Sequence, residues 1–278
     1  MKKRKIRRLI NVLCCLVVLC CLSAFGFSMK PVNYSVSSDK LTSSVNVVFI
    51  SDLHNCFYGG TDQSGLWEAV NASRPDIVIF GGDVIDAWGG TEYALRIMKM
   101  ANEKYPCVYT PGNHESMRDD MDEFSKQVSD IGIPILLGNK AEFKVKGQSI
   151  RIYGIQEVQS WGRKAPQIDE CYDDLDANYY DILLAHQPEQ IDRILRSDEH
   201  FDLILSGHAH GGQWRLPKIL DQGLYAPDQG IFPKYTSGQY SYDSTTHIIS
   251  RGLARPVRMI FIPRIFNRPE LSVIKING

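Results

Sequence analysis

The stretch Ser206-Gly207-His208-Ala209-His210-Gly211-Gly212-Gln213 sets two of the chain's seven histidines two positions apart among three glycines. An H-x-H pair alone is weak evidence for a metal site, because loop histidines are often plain polar surface. Four more groups change its meaning: Asp52-Leu53-His54, Gly82-Asp83, Gly112-Asn113-His114-Glu115 and His186. Each follows an apolar run, and five of the seven histidines stand in such places. Carboxylate, amide and imidazole donors without a thiolate suit Mn, Fe, Zn or Ni. Singly, Asp52, Asp83 and Asn113 read as turn formers or helix caps, and His186 as a hydrogen-bonded core histidine. Together they read as a metal centre.

The elements around these residues alternate. VNVVFISD, PDIVIFGGD, CVYTPGNHE, DILLAHQP and FDLILSGHAH read as buried strands that end in the polar groups. Helices are expected around Leu66, Ala69 and Val70 after Asp62, and over Tyr93, Ala94, Ile97, Met98 and Ala101. A third is expected from Met117 through Met121, Phe124, Val128 and Ile131, closed by Gly132. IPILL, AEFKV and SIRIYGI read as strands, the last two joined at Lys146-Gly147, and ELSVIKI as a final one. Pro188 opens a short helix. This alternation predicts an α/β domain, and in open α/β sheets ligands bind beyond the C-terminal strand ends. His200 and His247 have no motif around them and read as surface or structural; Glu115 reads as an orienting or capping group and Cys56 as packing. Trp88, Trp161 and Trp214 stand in or beside the loops after the motifs, where pocket rim and ordinary packing are both open readings. QEVQSWGRKAPQIDECYDDLD is polar and irregular.

The chain begins with MKKRKIRR, six cations and no acid, followed by nineteen uncharged residues from Leu9 to Phe27. That approaches the ~20 residues a bilayer-spanning helix needs. Residues 1–28 are therefore expected to be a membrane anchor with the remainder outside the cytoplasm; a signal peptide cleaved near Ala24-Phe25-Gly26 is the rival. Residues 29–44, rich in Ser, Thr and Asn, read as a linker, and 45–278 as one catalytic domain. Without the six N-terminal cations, 25 Lys and Arg face 32 Asp and Glu, a net charge of −7. A nucleic-acid-binding surface needs a basic patch, so none is expected. Four of the seven cysteines lie in the apolar span, and Cys56, Cys107 and Cys171 lack C-x-x-C spacing, so no disulfide framework is implied.

In order and loop position, D-x-H, G-D, G-N-H-E, the strand-end His186 and G-H-x-H resemble the metallophosphoesterase, or calcineurin-like phosphoesterase, superfamily from about Val45 to the C-terminus. SDLHN, GHAHGGQWRLP and NRPEL resemble its bacterial membrane-anchored branch. The resemblance implies a four-layer sandwich: two central mixed sheets flanked by helices. It implies two divalent ions bridged by Asp83, one shell completed by Asp52, His54 and His210, the other by Asn113, His186 and His208. It also implies a bridging hydroxide as nucleophile on a phosphate ester. His114 is then not a ligand but assists the leaving group, and with Asn113 contacts the phosphate.

Three functional readings follow. The first is a membrane-anchored phosphoesterase acting on a small-molecule or lipid ester. The second is a phosphodiesterase or pyrophosphatase acting on a lipid-linked or nucleotide-diphosphate substrate. The third is a metal-stabilised surface binding protein without turnover. The complete set of ligand-type residues counts against the third.

Overall fold

The computed structural model describes residues 28–156, 166–255 and 263–278, together with 11, 24 and 26. Two mixed sheets face each other. The first runs β1 (Lys30–Ser37), β13 (Glu270–Asn277), β2 (Val45–Ile50), β3 (Ile77–Gly81) and β4 (Cys107–Thr110). In it β2, β3 and β4 are parallel, while β13 runs against β2. The second runs β11 (Gly238–Tyr242), β12 (Thr245–Ile249), β8 (Leu203–Ser206), β7 (Tyr180–Ala185), β6 (Gln148–Ile155) and β5 (Asn139–Val145). Its four inner strands are parallel and its two edges antiparallel. A small hairpin, β9 (Tyr225–Ala226) and β10 (Gly230–Ile231), lies outside both.

Strand periodicity builds the layers. On β2, Val47 and Phe49 face the second sheet and pack with Ile152, Ile182 and Leu205. Their neighbours Val48 and Ile50 face outward, onto Leu66, Ile97, Met98, Phe124 and Val128. These last five come from the helices Ser64–Ala72, Glu92–Asn102 and Met121–Ile131. Across the second sheet, Leu183 and Ile204 meet Ile168, Cys171, Ile191 and Ile194 of the helices Pro166–Tyr172 and Ile191–Ile194. Helix layer, sheet, sheet and helix layer follow in that order. A strand covered on both faces has no polar side, which is why the central strands are unbroken apolar runs. Each such buried side chain contributes about 1.5–3 kcal/mol.

Four expectations need correction. Residues 29–44 are not a bare linker, because β1 pairs with β13 over eight residues. Only one face of this edge strand is covered, so Val32, Tyr34 and Val36 alternate with polar residues and mimic a polar tether. IPILL is not a strand: only Ile135 bridges, to Tyr109, and Pro134 contributes a carbonyl but has no N–H to give. The helix expected from Met117 starts at Met121, and Met117 is half exposed. In the polar stretch after Ile155, residues 157–165 lie outside the described residues, but Pro166–Tyr172 is helical and buries Ile168 and Cys171. The apolar span Leu9–Phe27 falls largely outside the described residues, and among those described no helix is long and apolar enough to cross a membrane.

His247 proves structural. It is fully buried on β12, where the Ser206 hydroxyl lies 2.9 Å from its Nε2. Burial depresses its pKa to about 3. The unfolded chain therefore takes up a proton near pH 6.5 that the folded chain refuses until about pH 3. Stability from this residue is complete above about 6.5 and falls with pH, by about 2 kcal/mol at pH 5. Chemical denaturation at pH 7.5 and pH 5 should show that loss in the native chain and a smaller one in His247→Gln. Equal slopes in the two would show that other groups carry the acid sensitivity.

Candidate metal centre

Because β2, β3 and β4 are parallel in one sheet and β7 and β8 in the other, their C-terminal ends converge. Asp52 and His54 follow β2, Asp83 follows β3, Asn113 and His114 follow β4, His186 follows β7, and His208 and His210 follow β8. The loops are bonded to one another. Asp52 N–H donates to the Gly82 carbonyl at 3.0 Å, His54 N–H to Asp83 at 2.9 Å, and Gly207 N–H to His186 at 2.9 Å. Asp52, His54, Asp83, His208 and His210 all have φ between 47° and 65°. Such left-handed backbone at a non-glycine residue costs about 1–2 kcal/mol and concentrates at functional sites.

The structure gathers the candidate residues into two trios. Asp52, His54 and His210 bring one ligand-type atom each within 4.8 Å of the others, and so do Asp83, His186 and His208; all six residues are buried. The two histidines of the H-x-H pair thus fall in different trios. Asp83 Oδ2 lies 3.2 Å from His186 Nε2 and 3.9 Å from both His54 Nε2 and His114 Nε2. Asp52 Oδ1 lies 3.9 Å from His186 Nε2 and from His210 Nε2. Asn113 opens the helix Asn113–Ser116 and is buried. His114 is the open residue, its side chain 30% exposed.

Sequence reasoning missed the partners behind several of these residues. Asp86 Oδ1 lies 2.6 Å from His114 Nδ1 and 3.6 Å from His54 Nδ1; its signal was a second Asp three residues after Asp83. His54, Asp86 and His114 thus form a third cluster. Asp228 Oδ2 lies 2.8 Å from His208 Nε2, and Glu189 completes a fourth there. Asp228 had no local signal, since A-P-D-Q-G reads as an ordinary turn. Asn267 of the NRPEL stretch donates to the His210 and Gln213 carbonyls at 2.7 and 3.1 Å, fixing that loop. Arg264 Nη2 lies 3.1 Å from His210 Nδ1. Glu115 accepts the N–H groups of Asp83, Gly112 and Ile85 at 2.8, 2.9 and 3.1 Å, so it orients the loops rather than meeting a substrate.

The electrostatics call for cations. Burial opposes ionisation of Asp83, but His186, His114 and His54 outweigh it and hold its carboxyl well below the usual range. Burial likewise disfavours a charged His186, yet Asp83 lifts its pKa to about 10; a divalent ion at Nε2 would replace that proton. Burial, and then the charge of Arg264, push His210 well below its ordinary value, leaving it neutral, as a ligand must be. Burial and Asp83 raise Glu115 to about 7. Asp52 Oδ2 and Asn113 Oδ1 are buried and make no hydrogen bond among the described residues. Buried oxygens are rarely left so. Oxygen and imidazole donors, two carboxylates and these open atoms fit a pair of divalent ions.

The likeness to known proteins agrees. The chain is 29% identical over 204 residues to the uncharacterized protein YpbG of Bacillus subtilis strain 168, covering 71% of this chain and 73% of that one. It is 30% identical over 218 residues to an uncharacterized metallophosphoesterase of Helicobacter pylori strain J99, covering 76% of this chain but 54% of that one. Among solved structures, the NAD nucleotidase of Haemophilus influenzae superposes with a TM-score of 0.51 at 18% identity, over 75% of this chain and 45% of that one. The 5'-nucleotidase precursor of Thermus thermophilus gives 0.51 at 14% identity, over 75% and 49%. At those identities the two superpositions show a shared fold. The chain spans about half the length of the Helicobacter relative and of both structures. The calcineurin-like phosphoesterase model matches residues 45–212, and with the geometry above this chain belongs to that family, metal-dependent phosphoester hydrolases that use two divalent ions.

Proposed function

We propose that this chain is a membrane-anchored phosphoesterase working with two divalent ions, Mn, Fe, Zn or Ni. The carrying observation is the meeting of the two buried trios at Asp83 Oδ2. In this reading Asp52, His54 and His210 would hold one ion and Asn113, His186 and His208 the other, with Asp83 serving both. Bound there, the ions would neutralise phosphoryl oxygens and supply a water-derived nucleophile near neutral pH. His114 does different work. Its Nδ1 lies 2.6 Å from Asp86 Oδ1, which fixes the ring, and from this partly exposed side chain Nε2 would hand a proton to a leaving oxygen. Asn113 and His114 together receive the phosphate.

Two substitutions separate these roles. His114→Asn should keep both metals and lower turnover by roughly 10²–10⁴-fold, with a smaller loss on p-nitrophenyl phosphate, whose leaving group needs little protonation. Asp83→Asn removes charge between two cations, so metal content and turnover should fall together on every ester. Metal analysis beside turnover decides; loss of metal in His114→Asn would make His114 a ligand. A purified chain that is active and indifferent to chelators would sink the metal reading altogether.

The carboxylate on His208 yields a third measurement. A partner on the far nitrogen of a ligand imidazole typically contributes about 10–100-fold in metal affinity. Asp228→Ala should lose metal to a competing chelator by about that factor while folding normally. Unchanged retention would mean that Asp228 does not support a ligand.

The anchor reading rests on the cation-rich start and on finding only Lys30 and Lys40 in residues 28–44. Protease added to intact spheroplasts should remove the domain. Protection would reverse the topology, and release into the medium would mean a cleaved signal peptide.

A further inference from the structure

The exposed large apolar side chains are not scattered. Trp88, Met117, Trp214, Ile219, Ile231 and Phe232 are each at least 41% exposed, and all stand in segments leaving the metal centre. Trp88 follows Asp86, Met117 donates its N–H to the His114 carbonyl at 3.2 Å, and the others lie within 214–232, just after the H-x-H pair. Leu216 lies in the same stretch and belongs with them, so among the described residues only Leu137 of the exposed large apolar side chains stands apart.

Residues 214–232 form one lobe. Leu224 N–H bonds to the Gly212 and Trp214 carbonyls, each at 2.9 Å, and the Leu224 carbonyl accepts Phe232 N–H at 2.8 Å. The β9–β10 hairpin, which ends in Ile231, also carries Asp228 to His208. The lobe is therefore fastened to the centre while its apolar side chains stay in water. Clustered exposure of this kind marks a surface that meets a partner.

Two observations identify the partner. Lys218 and Lys234 are exposed among or beside the apolar residues, the mixture that binds an interface of acyl chains and anionic headgroups. Ala24 and Ser28, at the end of the apolar stretch in the sequence, are also bonded beside the lobe. Phe266 N–H donates to the Ala24 carbonyl at 2.8 Å, and Arg268 Nε to the Ser28 carbonyl at 3.1 Å. Neighbouring Ile265 bridges to Trp214 and accepts Arg215 N–H at 2.9 Å. A bilayer holding 9–27 would lie against that same face. His114 and Asp228, with side chains 30% and 44% exposed, are the open groups of the centre.

We propose that the lobe 214–232 seats on the bilayer beside the anchor, so that the metal centre opens onto lipid headgroups and takes phosphoesters carried at that surface. This rests on the membrane-anchored phosphoesterase reading above.

The test uses the full chain in vesicles of phosphatidylcholine and phosphatidylglycerol, with and without bromine on the acyl chains. The Trp214 signal is the difference between the native chain and Trp214→Phe. Brominated lipid should dim it about twofold or more, as for a side chain at the acyl boundary, and acrylamide should barely reach it. Ile231→Glu with Phe232→Glu should abolish the bromine effect. Quenching by acrylamide alone would leave the lobe in water and overturn the proposal. Quenching by neither would mean that the chain's own apolar stretch 256–262, or a second copy, covers it, and would overturn it equally. Phe232→Trp in the Trp214→Phe background repeats the measurement from the other side of Leu224. Failure of the chain to float with the vesicles overturns the anchor. Failure of the metal-loaded chain to hydrolyse p-nitrophenyl esters overturns the phosphoesterase reading. A floating, active chain without bromine quenching overturns the lobe alone.

Discussion

Two buried carboxylates organise this molecule. Asp52 and Asp83 end adjacent parallel strands, and each commits one oxygen to the backbone of a distant loop. Asp52 Oδ1 accepts His208 N–H at 2.8 Å, and Asp83 Oδ1 accepts His114 N–H at 2.9 Å. The loops after β8 and β4 thus take their positions from the carboxylates that follow β2 and β3, while Asp83 Oδ2 and Asp52 Oδ1 face the histidines of the centre. The approach is close enough to dictate composition. A Cβ at Gly112 would fall 2.3 Å from Asp83 Oδ1, and one at Gly207 would fall 2.3 Å from Asp52 Oδ2. Two anionic carboxylates at this depth are unfavourable without compensating positive charge, and the imidazoles around them become donors once divalent ions supply it.

The imidazoles are aimed by what lies behind them. His186 Nδ1 lies 2.8 Å from the Gly81 carbonyl, so it carries the proton and Nε2 faces Asp83. His208 is turned the other way: its Nε2 meets Asp228 and its Nδ1 is the nitrogen left for the centre. Presenting different nitrogens lets two histidines from neighbouring strands approach one point without their rings colliding; their centroids are 5.4 Å apart and nearly perpendicular. His210 sits against a buried guanidinium instead of a carboxylate. The two members of the H-x-H pair therefore have opposite surroundings, His208 against the Asp228 carboxylate and His210 against the Arg264 guanidinium.

The α/β class, the convergence of strand ends and the polar residues at those ends were legible in the sequence, because buried parallel strands leave long apolar runs that stop abruptly. What was not legible is what one chain position does to a distant one. Asp228 stands 20 residues from His208 and Arg264 stands 54 from His210. Neither carries a local pattern, and only the fold joins them. The edge strand β1 failed for another reason. Its apolar residues alternate and are covered on one side only, so composition outweighed periodicity. IPILL failed because one proline lets a β-type run dock at a single residue without becoming a strand.

Backbone strain ties these threads together. An extended strand carries residues i and i+2 on one face but about 6.5 Å apart along its axis, too far for side chains that must converge on one cluster. Left-handed turns at Asp52 and His54, and again at His208 and His210, fold each D-x-H or H-x-H segment back on itself. Glycine would adopt this backbone at little cost, but it has no carboxylate or imidazole to offer. The strain falls on the residues whose side chains are indispensable, while glycines occupy Gly82, Gly211 and Gly212 between and beside them. Inter-loop hydrogen bonds and the two-faced cores of β2, β3, β7 and β8 hold the strained turns in place. The apolar strand interiors and the polar strand ends are thus one arrangement: the first supplies the rigidity that the second requires.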